Sequence, residues 1–190
     1  SWSDLGANLL PNSSFVNSMA KAPSGDIFAA GSFVYPNGDF AYLIKWDGSA
    51  WSTVVDVTDV DANYIAGVGI DGAGNLYASG NFTAIEGVTA SHVAKWNGTT
   101  WSALGAGTDG NINKLSFDAS GNLFASGYKL TTAGGNPVNG IAKWNGSAWS
   151  GFDPVEMPGS LSTFEVDAAD QLYIGGSFRF VNGVPARNLA

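Results

Sequence analysis

The chain contains no cysteine and a single histidine, His92. Disulfide frameworks, thiolate metal sites and cysteine nucleophiles are therefore absent, and a Ser-His-Asp device or a zinc site would rest on His92 alone. Charge is also scarce, with 13% of residues Asp, Glu, Lys or Arg, about half the usual share. Sixteen acids against eight bases leave a net charge of −8. That balance argues against nucleic acid, whose phosphates need a basic patch, and against electrostatic attachment to anionic lipid. No stretch approaches the roughly 18 apolar residues of a membrane-spanning helix, so no membrane insertion is expected. Neither a charged leader with an apolar segment nor ten residues of capped helical periodicity can be found.

What is present is glycine, aromatic residues and repetition. The 190 residues include 26 glycines and 13% aromatics, with 45% hydrophobic residues overall, a composition of short strands joined by turns in a globular chain. One stretch occurs three times: Lys45-Trp46-Asp47-Gly48-Ser49-Ala50-Trp51, Lys95-Trp96-Asn97-Gly98-Thr99-Thr100-Trp101 and Lys143-Trp144-Asn145-Gly146-Ser147-Ala148-Trp149. Asp-Gly or Asn-Gly between apolar residues signals a β-hairpin with a two-residue type I′ turn. In that register Trp46 pairs with Ser49 and the two tryptophans are diagonal neighbours. A longer loop sets them directly opposite each other.

The second tryptophan recurs at Trp2, Trp51, Trp101 and Trp149, which divides the chain into repeats 1–49, 50–99, 100–147 and 148–190. After each tryptophan strand comes a variable loop, then an alternating strand: Phe15 to Ala22, Tyr64 to Ile70, Ile112 to Phe117, or Leu161 to Val166. A turn follows, Asp71-Gly72-Ala73-Gly74-Asn75 or Asp118-Ala119-Ser120-Gly121-Asn122, degraded to Asp167-Ala168-Ala169-Asp170-Gln171, with Ala22 in place of the first Asp in repeat one. These aspartates are expected to accept backbone N–H bonds within their turns. The next strand is the most apolar, as in Leu76-Tyr77-Ala78-Ser79-Gly80 and Leu123-Phe124-Ala125-Ser126-Gly127, which fits burial on both faces. Its recurring Gly31, Gly80, Gly127 and Gly176 mark a bulge or a close backbone approach. The fourth strand runs into Lys-Trp and the hairpin, with the lysines expected to extend along the sheet edge.

Four antiparallel strands per unit of about 48 residues, apolar on both faces, predict an all-β fold, a β-propeller built from four repeats. It forms either a closed four-bladed ring or part of a larger propeller. The Asp-x-x-Gly-Asn-Leu-Tyr/Phe turn resembles the NHL-like propeller repeats. Joined to Ala-Lys-Trp-Asn-Gly-Ser-x-Trp, it is similar to the kelch- and galactose-oxidase-like repeats of secreted and cell-surface proteins, among them bacterial adhesin-like and fungal cortical proteins. The resemblance implies a non-catalytic extracellular module for adhesion, protein interaction or surface assembly. Galactose oxidase chemistry itself is excluded by zero Cys and one His. If the ring closes on itself, Trp2 to Leu5 would pair beside Pro185 to Ala190; otherwise the open blade ends offer a route to self-assembly.

Candidate functional residues fall in the variable loops, where a rigid repeat scaffold presents what packing does not need. Tyr35, Phe40, Phe180 and Asn182 are candidate anchors for a protein or glycan partner. Asp56, Asp59 and Asp61, with Asn63, have the near-alternate spacing that hard cations favour, so calcium is a candidate cofactor, although the EF-hand register is missing. His92 is expected in a surface loop. A glycan-binding lectin is the second binding reading, and a carboxylate-dependent glycoside hydrolase or lyase is the reading from a different class. The latter needs two carboxylates about 5–10 Å apart in one pocket.

Overall fold

The computed structural model describes residues 15–56, 58, 64–151, 159–167, 169–181 and 183–190. Among these residues no helix occurs, so none is long and apolar enough to cross a membrane. Blade one comprises β1 (Phe15–Lys21), β2 (Ile27–Val34), β3 (Phe40–Trp46) and β4 (Trp51–Asp56). Blade two contains β5 (Tyr64–Ile70) and β6 (Leu76–Asn81), the small hairpin β7 (Ala84–Ile85) and β8 (Val88–Thr89), then β9 (Val93–Trp96) and β10 (Trp101–Ala103). Blade three repeats that plan with β11 (Asn111–Phe117), β12 (Leu123–Tyr128), β13 (Thr132–Ala133), β14 (Asn136–Pro137), β15 (Ile141–Trp144) and β16 (Trp149–Gly151). Blade four adds β17 (Gly159–Val166), β18 (Leu172–Phe178), β19 (Phe180–Val181) and β20 (Val184–Pro185). Each of the first three blades is a four-stranded antiparallel sheet. In the fourth, Leu189 and Ala190 begin the third strand on Gly175 and Ile174. The fold is an all-β propeller arrangement, with three four-stranded blades and a fourth described by β17, β18 and the Leu189–Ala190 pairing.

β1, β5, β11 and β17 stack side by side and form the inner edge of the blades. Each carries one extra residue opposite the recurring glycine, so Asn17, Ala66, Asn113 and Ser162 sit at bulges. A Cβ on Gly31, Gly80 or Gly127 would overlap the carbonyl oxygen of Phe15, Tyr64 or Asn111. The glycine is therefore what lets the bulged strand approach its neighbour.

The core lies between blades. Phe28 and Leu43 of blade one meet Ile65 and Val68 of blade two; Tyr77 and Val93 meet Ile112; Phe124 and Ile141 meet Phe164 and Ile174. Each such side chain contributes about 1.5–3 kcal/mol when fully buried. Neither face of a blade is satisfied alone, which explains strands without polar alternation.

The hairpin register differs from the two-residue turn expected. Trp46 pairs directly with Trp51, Trp96 with Trp101, and Trp144 with Trp149, across four-residue loops. The Asp47 carboxylate accepts from Ser49 N (2.8 Å), Ala50 N (2.9 Å) and the Ser49 hydroxyl (2.8 Å), and Asn97 and Asn145 do the same in their loops. Those three bonds stabilise a wider loop in which only Gly48 needs positive φ. The I′ pattern of two consecutive left-handed residues occurs instead at Glu86-Gly87 and Gly134-Gly135, the tips of the small hairpins. The paired indoles lie 5.4–6.3 Å apart. Trp101 and Trp149 are buried in the seams, and Trp149 Nε1 donates to Leu104 O at 2.6 Å.

The repeated lysines do not simply extend along the edge. Lys95 reaches Asp71 (3.5 Å) and Lys143 reaches Asp118 (3.0 Å), each also lying over the ring of its cross-strand neighbour, Tyr77 or Phe124. In blade one, where Ala22 replaces the first Asp, Asp26 at the other end of the turn pairs with Lys45 (3.6 Å). Burial raises the Asp71 and Asp118 pKa values, but bonds from Asn75 or Asn122 and the lysine outweigh it and hold both below the usual carboxylate range.

Candidate functional site

The bulges and the loop after β12 together build the site. The second strand of a blade ends in a Gly-polar-Phe step: Gly31-Ser32-Phe33, Gly80-Asn81-Phe82 and Gly176-Ser177-Phe178. Blade three reads Gly127-Tyr128-Lys129-Leu130, one residue longer. Leu130 O accepts from Gly140 N just as Phe82 O accepts from His92 N and Phe178 O from Asn188 N. Leu130 therefore takes the phenylalanine position, and the additional residue is accommodated by Lys129 in the left-handed region, at φ 57°. The loop is fixed from outside by Asp109, whose carboxylate accepts from Thr131 N (2.9 Å), Thr132 N (2.8 Å) and Thr131 Oγ1 (2.5 Å). Burial pushes the Asp109 pKa up, yet these donors win and lower it to about 2. Tyr128 is exposed, and the Lys129 ammonium lies 5.3 Å from its ring centroid.

This loop forms the mouth of a cleft of about 440 Å³ between blades three and four. Its walls include Asn113, Lys114 and Asn139 on one side and Leu161 and Ser162 on the other. A second cleft of about 300 Å³ lies along the inner edge, between Asn17, Ser18 and Met19 of β1, Val68 of β5 and Asn113 to Leu115 of β11. Asn113 and Lys114 line both. The walls are knit by polar contacts between blades: Asn17 Nδ2 donates to Ile65 O (3.3 Å), and Val68 N to Ser18 Oγ (3.2 Å). Lys114 Nζ and Ser116 Oγ both donate to Glu165, at 3.0 and 2.8 Å. Burial raises the Glu165 pKa, while the Ser116 hydroxyl and Lys114 more than offset it. Lys114 is thus neutralised by its partner, and Lys129 supplies the cleft's positive charge.

Among the described residues neither cleft is lined by a carboxylate or a histidine. The linings offer amides, hydroxyls, backbone groups, one exposed phenol and two ammonium groups, that of Lys114 already paired with Glu165. Such a set can orient a peptide or another polyamide ligand by hydrogen bonds and stacking. Among the described residues it holds no pair of acids of the kind general acid–base hydrolysis uses.

The loop residues singled out from sequence are dispersed. Tyr35 is half-buried against Ala29, Phe33, Ala41 and Ile44 and accepts a hydrogen bond from Thr53 Oγ1 (3.2 Å), so it fills the edge of blade one. Phe40 and Phe180 are exposed at the start of β3 and in β19, on blades one and four, and neither lines either cleft. Asn182 lies outside the described residues. So do Asp59 and Asp61; Asp56 is described, and its Oδ1 accepts from Thr58 N and Thr58 Oγ1. Among the described residues no three His, Cys, Asp or Glu side chains gather as a metal site would require. His92 lies in the connection between β8 and β9, half-buried at φ 66°, with its Nδ1 3.2 Å from Gly80 O. Sequence reasoning missed Tyr128 and Lys129. The signal was the one-residue departure from the Gly-polar-Phe step.

No sequence family model matches the chain, and no curated protein matches it. Solved structures do match it in fold. YCF48 bound to D1 peptide superposes with a TM-score of 0.54 at 13% identity, covering 88% of this chain and 48% of that one. The extracellular domain of BT4673 from B. thetaiotaomicron gives 0.54 at 12% identity, covering 90% and 21%. A catalytically inactive virginiamycin B lyase from Staphylococcus aureus with quinupristin gives 0.50 at 8% identity, covering 90% and 66%. The chain thus spans about half the length of the YCF48 structure and a fifth of the BT4673 domain. Identities this low carry the fold and nothing further.

Proposed function

We propose that the chain is a non-catalytic, extracellular propeller module that binds a protein segment in the cleft between blades three and four. The observation that carries this reading is the loop with the extra residue Lys129, whose following Thr131 and Thr132 are held by Asp109, with exposed Tyr128 at the mouth of a cleft that no acid lines among the described residues. An exposed aromatic anchor supplies contact area, and a pre-ordered loop lowers the entropic cost of binding a flexible partner. Structures of the same fold lend support: YCF48 is bound to a peptide, and the BT4673 propeller is an extracellular domain. Adhesion or surface assembly is the role such a module would serve in the kelch-like proteins it resembles.

The test is selection of binders from a random peptide library, followed by calorimetry on the full chain. Deleting Lys129, which restores the repeat spacing, and Tyr128→Ala should each weaken binding at least ten-fold with little change in melting temperature. Binding that survives both changes would place the partner elsewhere. A lectin reading is favoured by the exposed rings of Tyr128, Phe40 and Phe180; glycan-array signal lost with Tyr128→Ala, and no peptide selected, would support it instead.

A further inference from the structure

The Asn-Gly dipeptide occurs at Asn37, Asn97, Asn139, Asn145 and Asn182, the last outside the described residues. Such a pair can react with itself. The glycine nitrogen, once it yields its proton to solvent base, attacks the asparagine Cγ. The new N–Cγ bond closes a five-membered imide, and Nδ2 leaves as ammonia. Water then opens the ring, at Cγ to give aspartate or at the main-chain carbonyl to give isoaspartate. The net change is amide plus water to acid plus ammonia. Glycine favours the attack because no Cβ shields its nitrogen.

The four described asparagines are all exposed, so exposure does not separate them. What separates them is the state of the nucleophile and of the carbonyl it must attack. Gly38 N donates to Tyr35 O at 2.9 Å and Gly140 N to Leu130 O at 3.1 Å. Each bond holds the proton on its nitrogen and the N–H toward its carbonyl. Asn37 is also held by Asp39, whose carboxylate accepts from Asn37 Nδ2 at 2.7 Å and sets a negative charge beside any developing anion.

Gly98 N and Gly146 N donate to no backbone carbonyl among the described residues. A Cβ on either glycine would meet nothing within 4 Å, so base and water have access. Their asparagine oxygens face three donors each. Asn97 Oδ1 accepts from Thr99 N (3.0 Å), Thr100 N (2.9 Å) and Thr99 Oγ1 (2.9 Å). Asn145 Oδ1 accepts from Ser147 N (3.0 Å), Ala148 N (2.9 Å) and Ser147 Oγ (3.0 Å). These bonds polarise the amide carbon and point at the oxygen on which charge gathers as the nitrogen adds, as donors do in an oxyanion hole.

We propose that Asn97 and Asn145 are sites of self-catalysed deamidation, while Asn37 and Asn139 keep their amides. The aspartate product already has a place in the fold, since Asp47 occupies this loop position in repeat one and accepts the same three donors. An ionised acceptor makes stronger hydrogen bonds than an amide oxygen, so aspartate tightens the loop in which it forms. Each event adds one negative charge to a hairpin tip of a chain already at −8. Asn139 lines the cleft and stays neutral there, and neither reactive loop borders either cleft.

The test incubates the purified full chain at mildly alkaline pH, with a parallel sample unfolded in urea. Both are digested at intervals for mass spectrometry, with aspartyl and isoaspartyl peptides separated by chromatography. In the folded chain Asn97 and Asn145 should convert at least about ten-fold faster than Asn37 and Asn139. In urea the four rates should converge, since only the dipeptide is then shared. Thr99→Val removes one donor, so it should slow Asn97 several-fold and leave Asn145 unchanged. Four equal rates in the folded chain would overturn the proposal, as would a lead by Asn37 or Asn139. So would Asn97 and Asn145 reacting only in urea, or an Asn97 rate untouched by Thr99→Val.

Discussion

The Asp–Lys pairs offer a graded test of how burial sets the strength of an ion pair within one repeat protein. Asp118 and Lys143 are 3.0 Å apart, with the carboxylate side chain 3% exposed and the lysine 32%. At an effective dielectric of about 20, charges at that distance attract by about 5–6 kcal/mol. Desolvation of the acid, lysine rotamer entropy and screening on the half-open lysine side reduce this to a coupling of about 1–2 kcal/mol. Asp26 and Lys45 are 3.6 Å apart and exposed 28% and 31%, which places their coupling near the surface value of about 0.2–1 kcal/mol. A double-mutant cycle with Asp118→Asn and Lys143→Met, and the matching cycle with Asp26→Asn and Lys45→Met, gives both couplings from urea midpoints at constant m. Asp118→Ala alone should cost more than Lys143→Met, about 3–5 kcal/mol, because it also orphans the Asn122 N–H and strands the ammonium. A coupling at Asp26–Lys45 equal to or above that at Asp118–Lys143 would refute the reasoning that burial governs these pairs.

Further tests address the glycines, the seam tryptophans and acid sensitivity. Gly127→Ala should cost about 1–3 kcal/mol or more, since its Cβ meets the backbone carbonyl of Asn111, which cannot rotate away. Gly175→Ala, whose nearest neighbour is the Thr163 methyl at 3.2 Å, is the milder control, and equal melting temperatures would contradict the bulge argument. Trp149→Leu should cost about 2–4 kcal/mol, through lost seam area and the Leu104 carbonyl left without its donor. The same change at half-exposed Trp51 should cost clearly less by chemical denaturation. Asp47, Asp71, Asp109, Asp118, Glu165 and Asp167 are all held below ordinary carboxylate values. Groups depressed in the folded state stabilise it above the unfolded pKa, about 4, and lose that contribution as pH falls through the folded values. Thermal melts should therefore be flat from neutrality to about pH 5 and fall steeply toward pH 2, where Asp47 and Asp109 titrate. A melting temperature unchanged at pH 2.5 would sink this account.

The blade strands and the glycine bulges were legible because the chain writes them four times, and periodicity survives noise at any one position. The hairpin loop was not, since the Asp47 carboxylate and the Asn97 and Asn145 amides cap a wider loop that the Asp-Gly signal alone does not distinguish. Lys143 looked like an edge lysine because its partner, Asp118, lies 25 residues earlier and meets it only across the sheet. The cleft was legible in one departure, Lys129 against the spacing of its sister repeats. Its walls were not, for Asn113, Leu161 and Ser162 come from two blades whose stacking no local pattern records. The aromatic loop residues misled by kind: Tyr35 has an apolar pocket within its own blade, so its ring never needed a partner.

Six of the seven tryptophans stand in three cross-strand couples, one in each of blades one to three, at centroid distances of 5.5, 6.3 and 5.4 Å. Transition dipoles this close mix, so each couple rotates polarised far-ultraviolet light as a unit and loses that signal when its strands part. The blades differ in mutual tilt of the rings, 53°, 29° and 51°, and hence in the strength of the signal. Silencing two couples with phenylalanine would leave the third as an optical gauge of its own blade. Melting could then be followed sheet by sheet, and the order in which the arc opens would become a measurable sequence of events.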